Sequence, residues 1–256
     1  MAMHTQQEVD DVMQEKRPVR PSTEHASSAV HRDGGGAFIH EVADKDRTFG
    51  IRLADTDEGR NSASLLISKM YATRGYAVSN MEKDPNRITL SASDNGIVIG
   101  TVTLGLDSPE RGILADEVFG DRVDAYRADQ ARLCEITKLA FDPQVRSKMA
   151  MAALFHTLYI YAHYLYERTD VLIEVNPRHR RFYETMLGFS EVAELRHNTR
   201  VDAPAHLMWL SVAFMGQQIG QFGGNSSHPG AERSLYPYFF SKREEVGLAN
   251  RIINLE

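Results

Sequence analysis

Residues 173–189 read IEVNPRHRRFYETMLGF, and their reading decides the fold. With the preceding Asp170, Val171 and Leu172 they open as an apolar strand. Asn176-Pro177 ends it, because Asn is good turn chemistry and proline offers no backbone N–H to a sheet. The basic, aromatic run that follows predicts a helix, with Gly188 as its left-handed stop. A strand passing directly into such a helix is a strand–helix unit of a mixed α/β domain.

The same alternation extends outward. Upstream, RLCEITKLAFD is an apolar strand stopped by Pro143. SKMAMAALFHTLYIYAHYLYER predicts a helix with Ser147 as its cap. Its core face should run through Met151, Leu154, Phe155, Leu158, Ala162 and Leu165. Two β-branched runs flank Asp94-Asn95-Gly96, a hairpin turn. TDEGRNSASLLISKMYATRGY is a helix with candidate caps at Asp55, Thr56 and Asp57, its face marked by Leu65, Leu66, Lys69 and Met70. ILADEVFGDRVDAYRAD is another helix, RTFGIRLAD a short strand and HLMWLSVAF a last strand. Residues 1–45 are polar and Pro/Gly-punctuated, which predicts a disordered tail. The domain is expected over 46–215. A flexible link and a C-terminal extension packing on the same domain are expected over 216–256.

Composition narrows the function classes. The chain has 256 residues, 42% hydrophobic and 25% charged, with a net charge of −6. That balance does not favour nonspecific nucleic-acid binding. Apolar runs fall short of the roughly 20 residues a membrane span needs, and the N-terminal stretch lacks an apolar signal core. We therefore expect a cytoplasmic protein with no stable membrane insertion and no nucleic-acid partner. The single cysteine, Cys134, excludes an internal disulfide framework. A nucleophilic cysteine wants a nearby base, and the sequence names none. His156 and His163 share a helix face, but without a third ligand they predict no metal site.

Strand, Asn-Pro, then a helix carrying Phe-Tyr before Leu-Gly-Phe resembles the GNAT acyltransferase superfamily, although FYETMLGF has one residue more than the commonest spacing. EITKLAFD, VNPRHRRFYETMLGF and the tail YPYFF together resemble the long-chain N-acyl amino acid synthases, a branch near the acyl-homoserine lactone synthases. The resemblance covers roughly residues 48–245. It implies an α/β (α+β) fold: a mixed, splayed sheet flanked by helices on both faces. The strands over 133–141 and 171–175 should diverge at their C-terminal ends to admit the pantetheine arm of an acyl thioester. It also implies fatty acyl and amino acid substrates, no tightly bound cofactor, and an acyl-phosphopantetheine thioester as co-substrate.

One departure from the resemblance bears on the donor. GNAT proteins usually carry glycines in the loop whose N–H groups cradle the coenzyme A pyrophosphate. Here Gln144 to Ala150 contains none, and Met149 is bulky. A carrier-protein donor presents one phosphodiester, so acyl carrier protein is the expected partner. Arg146, Lys148, Arg178, Arg180 and Arg181 would face it.

Glu135, Lys138 and Tyr183 are the candidate catalytic residues, and Glu135-x-x-Lys138 is similar to the Glu-x-x-Arg of the signal synthases. Glu135 suits proton acceptance from the amine, or a structural salt bridge with Lys138. In a regular strand the two point to opposite faces, and a β-bulge between them would bring them together. Tyr183 suits donation to the departing sulfur, or plain packing. Candidate substrate contacts are Arg74 for a carboxylate, Leu104 and Phe119 for the acyl wall with Ile113 and Leu114, Ala140, and Asn176, for which a structural turn role is favoured. His179 reads as a surface or docking residue. Three alternatives stay open: an acyl-homoserine lactone-type synthase, against which the lone Trp209 counts; a coenzyme A-dependent N-acetyltransferase; and an inactive binding module.

Overall fold

The structure, a computed structural model, describes residues 36–72 and 83–254. Nine strands form a mixed sheet in the order β1-β2-β3-β4-β5-β6-β9-β7, with β8 paired to β9. They are β1 (Phe38–Asp44), β2 (Arg47–Leu53), β3 (Arg87–Asp94), β4 (Ile97–Leu106), β5 (Leu133–Phe141), β6 (Asp170–Val175), β7 (Ser190–Glu191), β8 (Arg196–Asn198) and β9 (Ala203–Ser211). Every pairing is antiparallel except β5 with β6. The β3–β4 turn is as expected: Asn95 and Gly96 take φ of 49° and 78°, the left-handed pair a two-residue hairpin requires.

Six helices cover the sheet: α1 (Asp57–Ala72), α2 (Asp116–Ala128), α3 (Lys148–Ile160), α4 (Pro177–Leu187), α5 (Val212–Phe222) and α6 (Lys242–Ile253). The larger core joins one sheet face to α3, α4, α5 and α6. A smaller core holds Phe119 and Val123 of α2 against Leu133, Leu172 and Leu207 on the other face. Side-chain alternation along β5 and β6 separates the two.

Several local expectations need correction. The tail predicted to be disordered through residue 45 contains strand β1, whose Ile39 and Val42 are buried. Two apolar residues on one face sufficed once β2 offered a pairing edge; residues 1–35 of that tail lie outside the described residues. The last strand stops at Ser211, whose hydroxyl accepts from Phe214 N–H and starts α5, so the first part of the expected link is helix. The buried face of α1 runs through Ala63, Leu66 and Ile67, and Leu65 is exposed.

The helix α3 differs from its expected one-sided burial. Every residue from Ala150 to Ile160 is buried, and a π-turn, Tyr161–Leu165, continues it. The outer face is sealed by the C-terminal segment, which contributes Tyr236, Phe239, Phe240, Leu248 and Ile252 to the same core. His156 lies in that seam with no solvent exposure. Its Nδ1 accepts from Phe240 N–H at 2.9 Å, which leaves Nε2 to donate to Glu245 at 3.1 Å. Tyr164 also donates to Glu245, at 2.6 Å.

Candidate active site

Strands β5 and β6 pair at three positions only: Leu133 with Asp170, Cys134 with Val171 and Glu135 with Leu172. Beyond Glu135 they separate, as expected of a thioester cleft. The cause is visible on β5. Thr103 of β4 pairs with Thr137 but Thr101 pairs with Ala140, so β5 carries one extra residue between them. Lys138 absorbs it with φ of 53°. The expected bulge therefore exists, immediately after Thr137, and it bends β5 away from its neighbour.

The opening is a cavity of about 670 Å³ lined by Glu135, Thr137, Lys138, Glu174, Tyr183 and Arg200. Ile67, Ile136, Ile173 and Val175 supply apolar wall. A few convergent polar groups on apolar walls is the usual composition of a small-molecule site. Asn176, Arg178 and His179 also line it. Because β5 and β6 are parallel, the helices that follow them, α3 and α4, both start at this end of the sheet. Asn176 caps α4 by accepting from Arg178 N–H at 3.3 Å, and Gly188 ends α4 with φ of 83°.

Glu135 is held firmly. Leu114 and Ala115 donate backbone N–H groups to its two oxygens at 2.7 and 3.2 Å. Across the ladder Gly105 faces it, where a β-carbon would stand 3.0 Å from Glu135 Cγ. Glycine leaves room for the carboxylate. A neighbouring cluster forms around Glu174, which accepts from Arg200 and Asn198, each at 2.5 Å. Arg200 also reaches Leu114 O and Glu117.

A family model described as N-acyl amino acid synthase FeeM matches residues 62–211, more than half of the chain. The chain belongs to this family. The synthase is thus an N-acyltransferase. Among solved structures, FeeM, an N-acyl amino acid synthase from uncultured soil microbes, is 23% identical, with a TM-score of 0.62 over 68% of this chain and 96% of that one. An acyl-CoA N-acyltransferase from Pseudomonas aeruginosa is 14% identical, with a TM-score of 0.45 over 64% of this chain and 99% of the other. At these identities the likeness concerns fold alone, and only the first score supports an argument. No curated protein matches the chain.

The electrostatics of the synthase cavity single out Glu135. Burial pushes its carboxyl up to about 7, against the two N–H groups and Arg87, and the nearby Glu174 adds to the rise. A carboxylate titrating near neutrality is matched to proton transfer. Burial also raises Glu174, opposed by Arg200. Burial and then Arg87 lower Lys138. Glu135 and Lys138 line one cavity, yet among the described residues they form no salt bridge. Thr137 Oγ1, between them in sequence, is buried without a partner. Cys134 is fully buried and its thiol is pushed up to about 12, chiefly by burial, which suits an inert core residue.

Not all sequence candidates meet at the cavity of the synthase. Leu104 pairs with Ile136 and is buried in the α3-side core, not in the cavity wall. Phe119 is fully buried in the α2-side core beneath Arg196. Ile113 lies in that same core, and Ala140 is buried beyond the bulge; only Leu114 of the suspected wall lines the cavity. Arg74 lies outside the described residues. Arg180 is committed to Glu191 at 2.6 Å and Glu184 at 3.4 Å. Arg181 and Arg146 are exposed, and Lys148 lies over the Tyr238 ring. Sequence reasoning missed Glu174, Asn198 and Arg200. A glutamate inside the otherwise apolar DVLIEV was the available signal for the first; nothing local marks the other two.

Across the helix start, Ser147 Oγ accepts from Ala150 N–H at 3.0 Å, as expected of a cap, and donates to Asp44 of β1 at 2.6 Å.

Proposed function

We propose that the synthase moves a long-chain fatty acyl group from the phosphopantetheine thioester of acyl carrier protein to the α-amine of an amino acid. One observation carries the reading: the β5–β6 ladder ends at Glu135, and the opening beyond it is an apolar-walled cavity bearing that near-neutral carboxylate. Pantetheine would lie in the opening, against the β5 backbone groups that β6 no longer pairs. The ammonium gives one proton to Glu135, directly or through water, and the free amine attacks the thioester carbonyl. The C–N bond forms, the C–S bond breaks, the thiolate takes a proton from the Tyr183 phenol, and the second proton leaving the new amide nitrogen returns through water to the phenolate. The acyl-phosphopantetheine is a co-substrate, and no tightly bound cofactor is required. A carrier-protein donor makes the cytoplasm the expected setting. Among the described residues no helix is long and apolar enough to cross a membrane.

Two features support the carrier protein over coenzyme A. The α3 start has no glycine for close backbone approach to a pyrophosphate. Asp44 already brings a carboxylate to that start through Ser147, which repels a doubly charged pyrophosphate more than a singly charged phosphodiester. Expression in a heterologous bacterium, with mass spectrometry of lipid extracts, tests the reading. An N-acyl amino acid should accumulate, and the purified protein should consume dodecanoyl-acyl carrier protein faster than dodecanoyl-coenzyme A. Extracts free of N-acyl amino acid would sink the transfer reading; equal use of both donors would sink the donor assignment alone.

A further inference from the structure

We propose that Lys138 is the acceptor anchor, its ammonium holding the α-carboxylate of the incoming amino acid while Glu135 faces the amine. The inference deepens the transfer reading and rests on it. Lys138 occupies the extra position of the β5 bulge in a left-handed conformation. Such a conformation is unusual for a residue with a side chain and persists where the surrounding structure enforces it, often at active sites. Residues three apart on a regular strand face opposite ways. Here Glu135 and Lys138 line the same cavity.

The second observation is what Lys138 lacks. Its Nζ makes no hydrogen bond or ion pair among the described residues. Two other cations nearby have acidic partners: Arg200 holds Glu174 and Glu117, and Arg87 holds Asp84. A half-buried ammonium without an anion is a costly arrangement. Thr137 Oγ1, next to it, is also buried without a partner. A buried hydroxyl without a partner and, on the next residue, an ammonium that reaches the cavity without an anion mark a place where a ligand completes the structure.

The chemistry of the missing partner follows. The thioester and the pantetheine amides are neutral, and the donor's phosphate sits a pantetheine length from the reacting carbon. The anion brought to the reacting centre is the acceptor's own carboxylate. An α-amino acid is a zwitterion with its charges a few bonds apart, which complements a cavity lined by the Glu135 carboxylate and the Lys138 ammonium. A simple amine would leave Lys138 unpaired as water is excluded, so the arrangement also rejects acceptors without a carboxylate.

The test compares acceptors. With dodecanoyl-acyl carrier protein as donor, the twenty standard amino acids are screened, and each accepted one is paired with its carboxamide. Lys138→Met should lower the acid-to-amide ratio of kcat/KM by about 10- to 100-fold, as expected for loss of one charge-assisted hydrogen bond. Lys138→Arg should restore much of the ratio. Binding of N-dodecanoyl-glycine against N-dodecanoyl-glycinamide, by calorimetry, reads the same preference without turnover and serves if Lys138→Met loses activity altogether. An unchanged ratio in both measurements overturns the anchor role while leaving the transfer reading intact. A wild-type protein that acylates no amino acid overturns both.

Discussion

Ser147 and Asp44, 103 positions apart, share a 2.6 Å hydrogen bond at the start of α3. The first described strand thereby delivers a negative charge to the helix end where an acyl-CoA enzyme would want none. Asp44→Ala should therefore improve use of dodecanoyl-coenzyme A, lowering its KM by about 2- to 5-fold, the size of a helix-end charge effect. The KM for dodecanoyl-acyl carrier protein should move less. Steady-state kinetics with both donors decide; no change for the coenzyme A thioester removes Asp44 from donor selection.

Glu135→Gln should keep the fold and donor binding and lower turnover by about 10²-fold or more, for loss of a general base. Because Glu135 titrates near 7, kcat/KM in the wild type should rise with pH through that value, where the carboxylate form accumulates. The variant should lack this limb. Glu174→Gln removes the neighbouring charge that raises Glu135 and frees Arg200 beside it, so the limb should move to lower pH. A Glu174→Gln profile superimposable on wild type would separate the two carboxylates.

Charge reversal at Arg178 and Arg181 should weaken binding of acyl carrier protein and flatten its dependence on salt, because fewer rim ion pairs remain. Reversal at Arg180 should cost stability as well, since that guanidinium already holds Glu184 and Glu191. Titrations at two ionic strengths, beside thermal unfolding, resolve the two effects. Equal salt slopes for wild type and the Arg178/Arg181 variant would return the helix face to solvent.

The legibility of this molecule follows the range of its interactions. Asn95-Gly96, Ser147, Asn176-Pro177 and Gly188 state their roles locally, through turn and cap chemistry, and each appears where expected. The bulge was legible from the Glu135-x-x-Lys138 spacing, which a regular strand would split between opposite faces. Arg200 and Asn198 were not, since they matter only when β9 brings their loop over Glu174. Leu104 and Phe119 misled for a related reason. An apolar residue suits a tunnel wall and a dry core equally, and only packing distinguishes them.

Glu245→Gln should destabilise the protein by about 3 kcal/mol or more, the cost of breaking a buried charged network. Burial disfavours the Glu245 carboxylate, but His156, Lys242 and Tyr164 outweigh it and hold the group down to about 2. Its folded value lies below its unfolded one, so its contribution is complete above about pH 4.3 and fades as pH falls toward 2. His156 acts in the same direction: burial keeps it neutral in the fold, and unfolded histidine gains a proton below about pH 6.5. Urea midpoints across pH should show a wild-type advantage over Glu245→Gln that is constant near neutrality and shrinks below about pH 4. An advantage independent of pH would assign the effect to shape alone.

The Arg251 guanidinium in α6 donates to Ile39 O of β1 at 2.7 Å, so the two ends of the described chain close over α3 together. A ribosome makes these ends far apart in time. Until residues 236–253 have emerged, α3 carries an apolar outer face with nothing on it, and β1 lacks its final brace. The helix that begins beside the cavity thus waits for the C-terminal segment to be shielded, and a nascent chain arrested short of Tyr236 leaves that apolar face uncovered.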